Sequence, residues 1–169
     1  DVIKWNIGNS TGNYIIPWTT LSGVKIPLSI NKTTTGTGSG NFILSTYETA
    51  TDMNTPYPSA VTNMNSSPPV VDESLSVVDR FWHIDARSYT TKPNITMVMN
   101  YDPAANELGG TNTLIEANLL AQRFNTSIGS WQSLLFGAND AANDRVTGIN
   151  IAPADFFEDW ILVDEQNPL

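Results

Sequence analysis

A chain of 169 residues, 40% hydrophobic and 15% charged, is long enough to bury a core as one domain. Its 17 acidic and 8 basic residues give a net charge of −9, and without Lys/Arg clusters this charge argues against binding to nucleic acid. No apolar run approaches the roughly 20 residues that span a bilayer, and the absence of cysteine excludes disulfides, thiolate catalysis and cysteine-based metal sites.

The first third of the chain has the pattern of short strands separated by turn residues. The low-complexity tract 31–40 predicts an exposed hairpin connection, because the strand pattern resumes directly after it. Residues 49–72 lack periodicity and contain four prolines, which predicts a long loop that is functional or mobile. Alternation and β-branched content predict strands at residues 2–7, 14–16, 24–30 and 41–47.

Two runs rich in β-branched and aromatic residues, 77–84 and 95–101, are the most informative part of the sequence. The polar segment 87–94 between them reads as a loop, so the pair predicts a hairpin-like unit of one sheet. Side chains alternate along a strand, which places Trp82 and Ile84 on the same face. These two residues are the predicted core of the unit.

The only histidine, His83, lies on the opposite face of that run and is predicted to be a strand residue. Serine hydrolysis needs a histidine beside a nucleophile and a carboxylate, and no serine occupies a Gly-x-Ser-x-Gly elbow. One imidazole also excludes a metal site built on several histidines. Paired carboxylates could hydrolyse glycosides, but the acidic residues read as solvated loops, so no enzymatic activity is predicted. Those acidic residues are Asp102, Glu107, Glu116, Asp155, Glu158 and Asp159.

The later half of the chain is the better patterned. The run 113–124 has a Leu/Ala/Glu content that would also satisfy a helix, but its alternation favours a strand. Roughly ten short strands with little or no helix predict an all-β fold, an antiparallel β-sandwich of the Ig-like or jelly-roll-like kind. The predicted later strands are 76–85, 95–102, 113–124, 130–136, 145–151 and 159–163.

Two sets of side chains are candidate binding sites. Aromatic residues in or beside loops of an acidic, Asn-rich surface are typical of carbohydrate binding, and the alternative is that they cap the ends of the sandwich. The segment 139–144 offers oxygen ligands for calcium, the one cofactor that the sequence leaves open, although it lacks the EF-hand spacing and glycine. The alternative there is solvated acidic surface. The aromatic candidates are Trp18, Tyr47, Tyr57 and Tyr89, and the calcium candidates are Asp140, Asn143 and Asp144.

Short motifs along nearly the whole chain carry a family resemblance. They are the Gly-turn-Tyr-x-x-Pro pattern at 7–17, the run 80–84, the apolar strand ending at Tyr101, the segment 121–131 and the terminal Asn-Pro-Leu at 167–169. In these motifs the chain resembles the β-sandwich modules that precede the C-terminal sorting domain in secreted and surface proteins of Bacteroidota exported by the type IX secretion system. Phe124 departs from the pattern, because a tryptophan is common at its position.

The resemblance implies an extracellular location, secreted or at the cell surface, and a single domain over 1–169 that is a fragment of a larger modular protein. The family has no shared catalytic residues to transfer. The leading hypothesis is a non-catalytic structural or adhesive module whose partners are neighbouring domains of the same polypeptide and a surface glycan or another surface protein. The alternative is a carbohydrate-binding accessory domain, with or without calcium.

Overall fold

Antiparallel strands make up the fold. The computed structural model describes residues 2–67, 70–104, 107–156 and 158–169, and within them it has thirteen strands, four 3₁₀ helices and no α-helix. The predicted all-β antiparallel sandwich is confirmed. Among the described residues, no helix has the length and apolar character needed to cross a bilayer. The strands are β1 (Val2–Trp5), β2 (Gly12–Ile16), β3 (Leu28–Lys32), β4 (Thr37–Glu48), β5 (Asn65–Ser66), β6 (Val71–Asp72), β7 (Arg80–Thr91), β8 (Ile95–Asn100), β9 (Leu119–Asn125), β10 (Ser130–Trp131), β11 (Ala138–Asp140), β12 (Arg145–Ile151) and β13 (Asp159–Asp164).

Two sheets pack against each other. The first sheet has the order β1-β4-β7-β13-β9-β10, and the second has the order β11-β12-β8-β3-β2. Their facing sides form the main core, in which Trp82 and Ile84 are both buried, as predicted. Trp82 lies opposite Trp160 of β13 in the strand register. The alternation of residues 80–85 therefore fixed the inward face of β7 correctly.

The predicted hairpin between 77–84 and 95–101 is wrong. β7 belongs to the first sheet and β8 to the second, so residues 92–94 cross from one sheet to the other. β7 also continues to Thr91, through most of the segment predicted as a loop, because it pairs with the equally long β4 over nearly its full length. The strand-like composition of 77–84 and 95–101 indicated that both runs are buried in sheets. It did not specify which strand each of them pairs with.

The predicted hairpin connection at 31–40 is wrong for the same reason. β3 lies in the second sheet and β4, which already begins at Thr37, lies in the first. This crossing is bonded directly to the crossing between β7 and β8. The Thr33 amide donates to the Asn94 carbonyl over 3.0 Å, and the Asn94 amide donates to Thr34 Oγ1 over 2.7 Å. The two crossings thus hold each other at one end of the sandwich.

Three predicted strands are shorter than expected. The predicted strand over 24–30 begins only at Leu28, and that over 130–136 keeps only Ser130–Trp131. In the run 113–124, residues Glu116–Asn118 form a 3₁₀ helix before β9 begins. The Ile115 amide there donates to Asp164 Oδ2 over 2.7 Å, so a side chain replaces a strand partner.

The outer face of the first sheet is also covered. Val61 and Met64, from the segment predicted as a long loop, pack on Phe81 and Trp131 in a second buried cluster. Trp131 Nε1 donates to the Asn63 carbonyl over 2.9 Å, which ties the segment to β10. Residues 68 and 69 of the predicted loop lie outside the described residues. The rest of 49–72 adds a third layer to this side of the sandwich.

Candidate functional site

An open cleft of about 330 Å³ lies where β4 ends, β7 begins and the segment after β2 meets them. Trp18, Tyr47, Glu48 and Arg80 are among the residues that line it. Its volume is at the lower end of the range of about 300–1,000 Å³ that is usual for small-molecule sites. The cleft therefore has room for a compact ligand.

Both aromatic residues of the cleft are held in place by bonds outside it. The Trp18 carbonyl accepts from the Ile26 amide over 3.0 Å, and its side chain packs against the main core while remaining partly exposed. The Tyr47 hydroxyl donates to the Pro56 carbonyl over 3.0 Å, and its ring centre lies 5.9 Å from that of Phe81. The two rings are thus positioned before any ligand arrives.

A buried ion pair supports the floor of the cleft. Arg80 donates from Nε and Nη2 to Glu107 Oε1 over 2.8 and 2.5 Å, and from Nη1 to Thr46 Oγ1 over 3.0 Å. Arg80 is 3% exposed and Glu107 is fully buried. Glu48, which is 29% exposed, lies 3.9 Å from Arg80 Nη2 and is held only loosely. Its carboxylate is therefore the acceptor that the cleft offers to a ligand.

Acidic groups also meet beneath the loop that follows β4. Asp79 is buried and accepts from the Asp52 amide over 3.0 Å and from Asn54 Nδ2 over 3.2 Å. Burial raises the pKa of Asp79 to about 6, and the charges of Asp52 and Glu107 add to the rise, while backbone hydrogen bonds oppose it. Burial also raises the pKa of Glu107.

We expect the domain to be more stable near pH 5 than near pH 8. Asp79 has a higher pKa in the folded state, so the folded state binds more protons between the ordinary value of 3.8 and about 6. The free energy of unfolding therefore falls as the pH rises through that window, and this group contributes a fall of about 1.4 kcal/mol between pH 5 and pH 8. Urea unfolding across this range measures the effect. Asp79→Asn should flatten the profile, and an unchanged profile in that variant would contradict the assignment.

A second group of reactive side chains lies on the outer face of the first sheet. His83 and Asp85 alternate on β7, Glu158 lies directly before β13, and one potential ligand atom of each lies within 4.8 Å of the others. His83 Nδ1 is 2.9 Å from Oδ1 of the buried Asp159. That hydrogen bond, followed by the charges of Asp159, Glu158 and Asp85, raises the pKa of His83. Arg87 Nε donates to Asp85 Oδ2.

The structure separates the four predicted aromatic residues. Trp18 and Tyr47 meet at the cleft. Tyr57 does not line it, and its ring packs against the second buried cluster, 6.4 Å from the Phe81 ring centre. Tyr89 lies near the opposite end of β4, where its hydroxyl donates to the Gly8 carbonyl over 2.9 Å and its ring leaves no space for a side chain on Gly40. Tyr89 is a packing residue of β7.

The calcium candidates are adjacent in the turn between β11 and β12. Asn143 Nδ2 donates to Asp140 Oδ1 over 2.9 Å, and Arg145 Nε donates to Asp140 Oδ2 over 2.7 Å. These bonds hold the pKa of Asp140 below its usual range. Asp144 ends the turn with a positive φ of 51°. Calcium would have to compete with Arg145 here, and melting curves in calcium and in chelator test this prediction.

Sequence reasoning missed the grouping of His83, Asp85 and Glu158. For His83 it considered only a metal site made of several histidines, whereas this set mixes one imidazole with two carboxylates. The His-x-Asp spacing was a usable signal, because alternate residues of a strand share a face.

Comparison of the chain with protein-family models, with curated proteins and with solved structures gives no match.

Proposed function

We propose that this domain is a non-catalytic binding module of a secreted or cell-surface protein, and that its cleft binds carbohydrate. The observation that carries the proposal is the meeting of Trp18 and Tyr47, far apart in sequence, on one preformed cleft that also contains Glu48. Flat aromatic side chains contact the apolar faces of sugar rings, and a carboxylate accepts hydrogen bonds from sugar hydroxyls. A volume of about 330 Å³ suits one or two sugar rings.

The carboxylates at the cleft favour binding over hydrolysis. Glycoside hydrolysis uses two carboxyl groups on either side of the scissile bond, separated by about 5–10 Å. Among the described residues that line the cleft, Glu48 is the one carboxylate. Glu107 lies beneath Arg80, is fully buried and is bonded through both of its oxygens. It therefore serves to fix Arg80.

An extracellular location is part of the same proposal. It is supported by the resemblance in the motifs at 80–84 and 121–131 to modules exported by the type IX system, and by a surface whose polarity comes from Thr, Asn and Ser instead of Lys. An adhesive role in a surface protein follows if the cleft engages a glycan. A purely structural, spacing role is the alternative.

Glycan-array screening followed by calorimetry on the isolated chain tests the proposal. We expect Trp18→Ala and Tyr47→Ala each to weaken binding by about tenfold or more, because buried aromatic anchors dominate such contacts. Glu48→Gln should weaken it less. Tyr57→Ala is the matched control, since Tyr57 does not line the cleft. This variant should bind the glycan with the affinity of the parent.

Two outcomes would count against the proposal. Equal affinities in Trp18→Ala, Tyr47→Ala and the parent would place the glycan elsewhere on the surface. A folded domain that binds no glycan on the array would remove carbohydrate binding and favour the structural role.

A further inference from the structure

We propose that His83, Asp85 and Glu158 form a binding site for a divalent transition metal, of which zinc is the best match. The site is separate from the carbohydrate cleft, and neither proposal depends on the other. It lies on the outer face of the first sheet, where His83 and Asp85 are consecutive outward residues of β7.

The separation of the donor atoms suits a single ion. Zinc binds imidazole nitrogen and carboxylate oxygen at about 2.0–2.2 Å, so two donors on one tetrahedral ion lie about 3.3–3.6 Å apart. The three atoms here lie within 4.8 Å of one another. Closing the site therefore requires the donor atoms to approach one another by up to about 1.5 Å, a movement that side-chain rotation of the partly exposed His83 and Glu158 can supply.

The backbone holds the two strands of the site together. The Ile84 amide donates to the Glu158 carbonyl over 2.7 Å, which fixes Glu158 beside β7. His83 lies opposite Asp159 in the register of β7 and β13. Two of the three metal-binding positions thus lie on β7, and the third is hydrogen-bonded to it through the backbone.

Asp159 supplies the orienting contact that a metal-bound histidine needs. It is 1% exposed, and its Oδ1 accepts from His83 Nδ1 over 2.9 Å. This bond engages Nδ1, so in the proposed site it is Nε2 that binds the metal. A carboxylate on the second nitrogen is the arrangement that fixes the ring and raises its basicity at zinc sites.

The donor set selects the class of cation. Calcium and magnesium take oxygen ligands, whereas an imidazole nitrogen with two carboxylates suits zinc and its first-row neighbours. Three protein ligands also leave a coordination position for water. Arg87 is the competitor, because its Nε is bonded to Asp85 Oδ2, but its side chain is 59% exposed and can withdraw.

Calorimetric titration with zinc chloride in a phosphate-free buffer near pH 7.5 tests the site, with calcium and magnesium chlorides as comparison ions. We expect one zinc ion per chain, a rise in melting temperature by mass action, and no comparable binding of calcium or magnesium. His83→Gln and Glu158→Gln should weaken zinc binding by at least about tenfold. Asp159→Asn, which keeps all three ligands, should weaken it by about 10–100-fold.

Two further variants make the result decisive. Arg87→Ala should strengthen zinc binding, because it removes the competing cation, and a merely structural role for the cluster would not produce that gain. Glu165→Gln is the matched control, since it removes one exposed carboxylate elsewhere and should bind zinc as the parent does. Melting curves in chelator confirm that each variant is folded.

Absence of zinc binding by the parent would overturn the proposal. So would equal losses in Glu158→Gln and Glu165→Gln, which would reduce the effect to the general attraction of cations to a chain of net charge −9. Equal binding of zinc and calcium would exclude the imidazole from the site.

Discussion

Replacing Trp82 by alanine is expected to lower the free energy of unfolding by about 3–5 kcal/mol, the cost of truncating a large aromatic side chain in a core. Trp82 is 0% exposed and lies in the main core, opposite Trp160 in the register of β7 and β13. The cavity would open between the two sheets, where the backbones of long paired strands resist collapse. Urea denaturation of parent and variant measures the loss.

Trp82→Phe is the matched control. Trp82 Nε1 has no hydrogen-bond partner among the described residues, so phenylalanine sacrifices volume but no hydrogen bond. We expect it to lose less than half as much stability as Trp82→Ala. A loss below about 1 kcal/mol for Trp82→Ala would place the side chain outside the core and contradict the assigned face of β7.

The second large effect is expected at the buried ion pair. Arg80→Met should cost about 3–5 kcal/mol, because it leaves the carboxylate of Glu107 buried without its cation. Glu107 keeps one acceptor bond, from the Asp102 amide over 2.9 Å, which does not neutralise its charge. Denaturation at neutral pH measures the loss.

The double variant Arg80→Met, Glu107→Leu separates charge from packing. Replacing both members of a buried pair by apolar groups is often close to neutral, so the double variant should recover part of the lost stability. The Arg80→Met defect should also shrink as the pH is lowered, because burial raises the pKa of Glu107 and protonation removes the unpaired charge. A double variant as unstable as Arg80→Met would show that lost packing dominates.

The sequence predicted which side chains of a strand point into the core more reliably than it predicted which strands pair with each other. The alternation around Trp82 gave its inward orientation because a strand has a fixed two-residue period. The assignment of β7 and β8 to one hairpin failed because a short polar connection such as 92–94 can either turn back within a sheet or cross to the opposite one. The choice depends on pairing with β4 and β13, which lie far away in sequence.

The candidate sites were visible only as separate residues. Trp18 and Tyr47 were identified as exposed aromatics, but their meeting at one cleft depends on how the segment after β2 crosses the end of β4. Tyr89 was misplaced because β7 continued through the predicted loop. Glu158 could not be joined to His83 from sequence, because the register of β13 on β7 brings them together.

The position of β13 in the middle of the first sheet has a consequence for how the domain folds. β13 pairs with β7 on one side and with β9 on the other, so among the described residues it is the strand whose backbone pairing connects the two halves of that sheet. Until residues 159–164 dock, β7 and β9 each present an unpaired edge, and such edges invite pairing with other chains. Because this closure joins segments distant in sequence, we expect the docking of β13 to be a slow step of folding and the period of greatest aggregation risk.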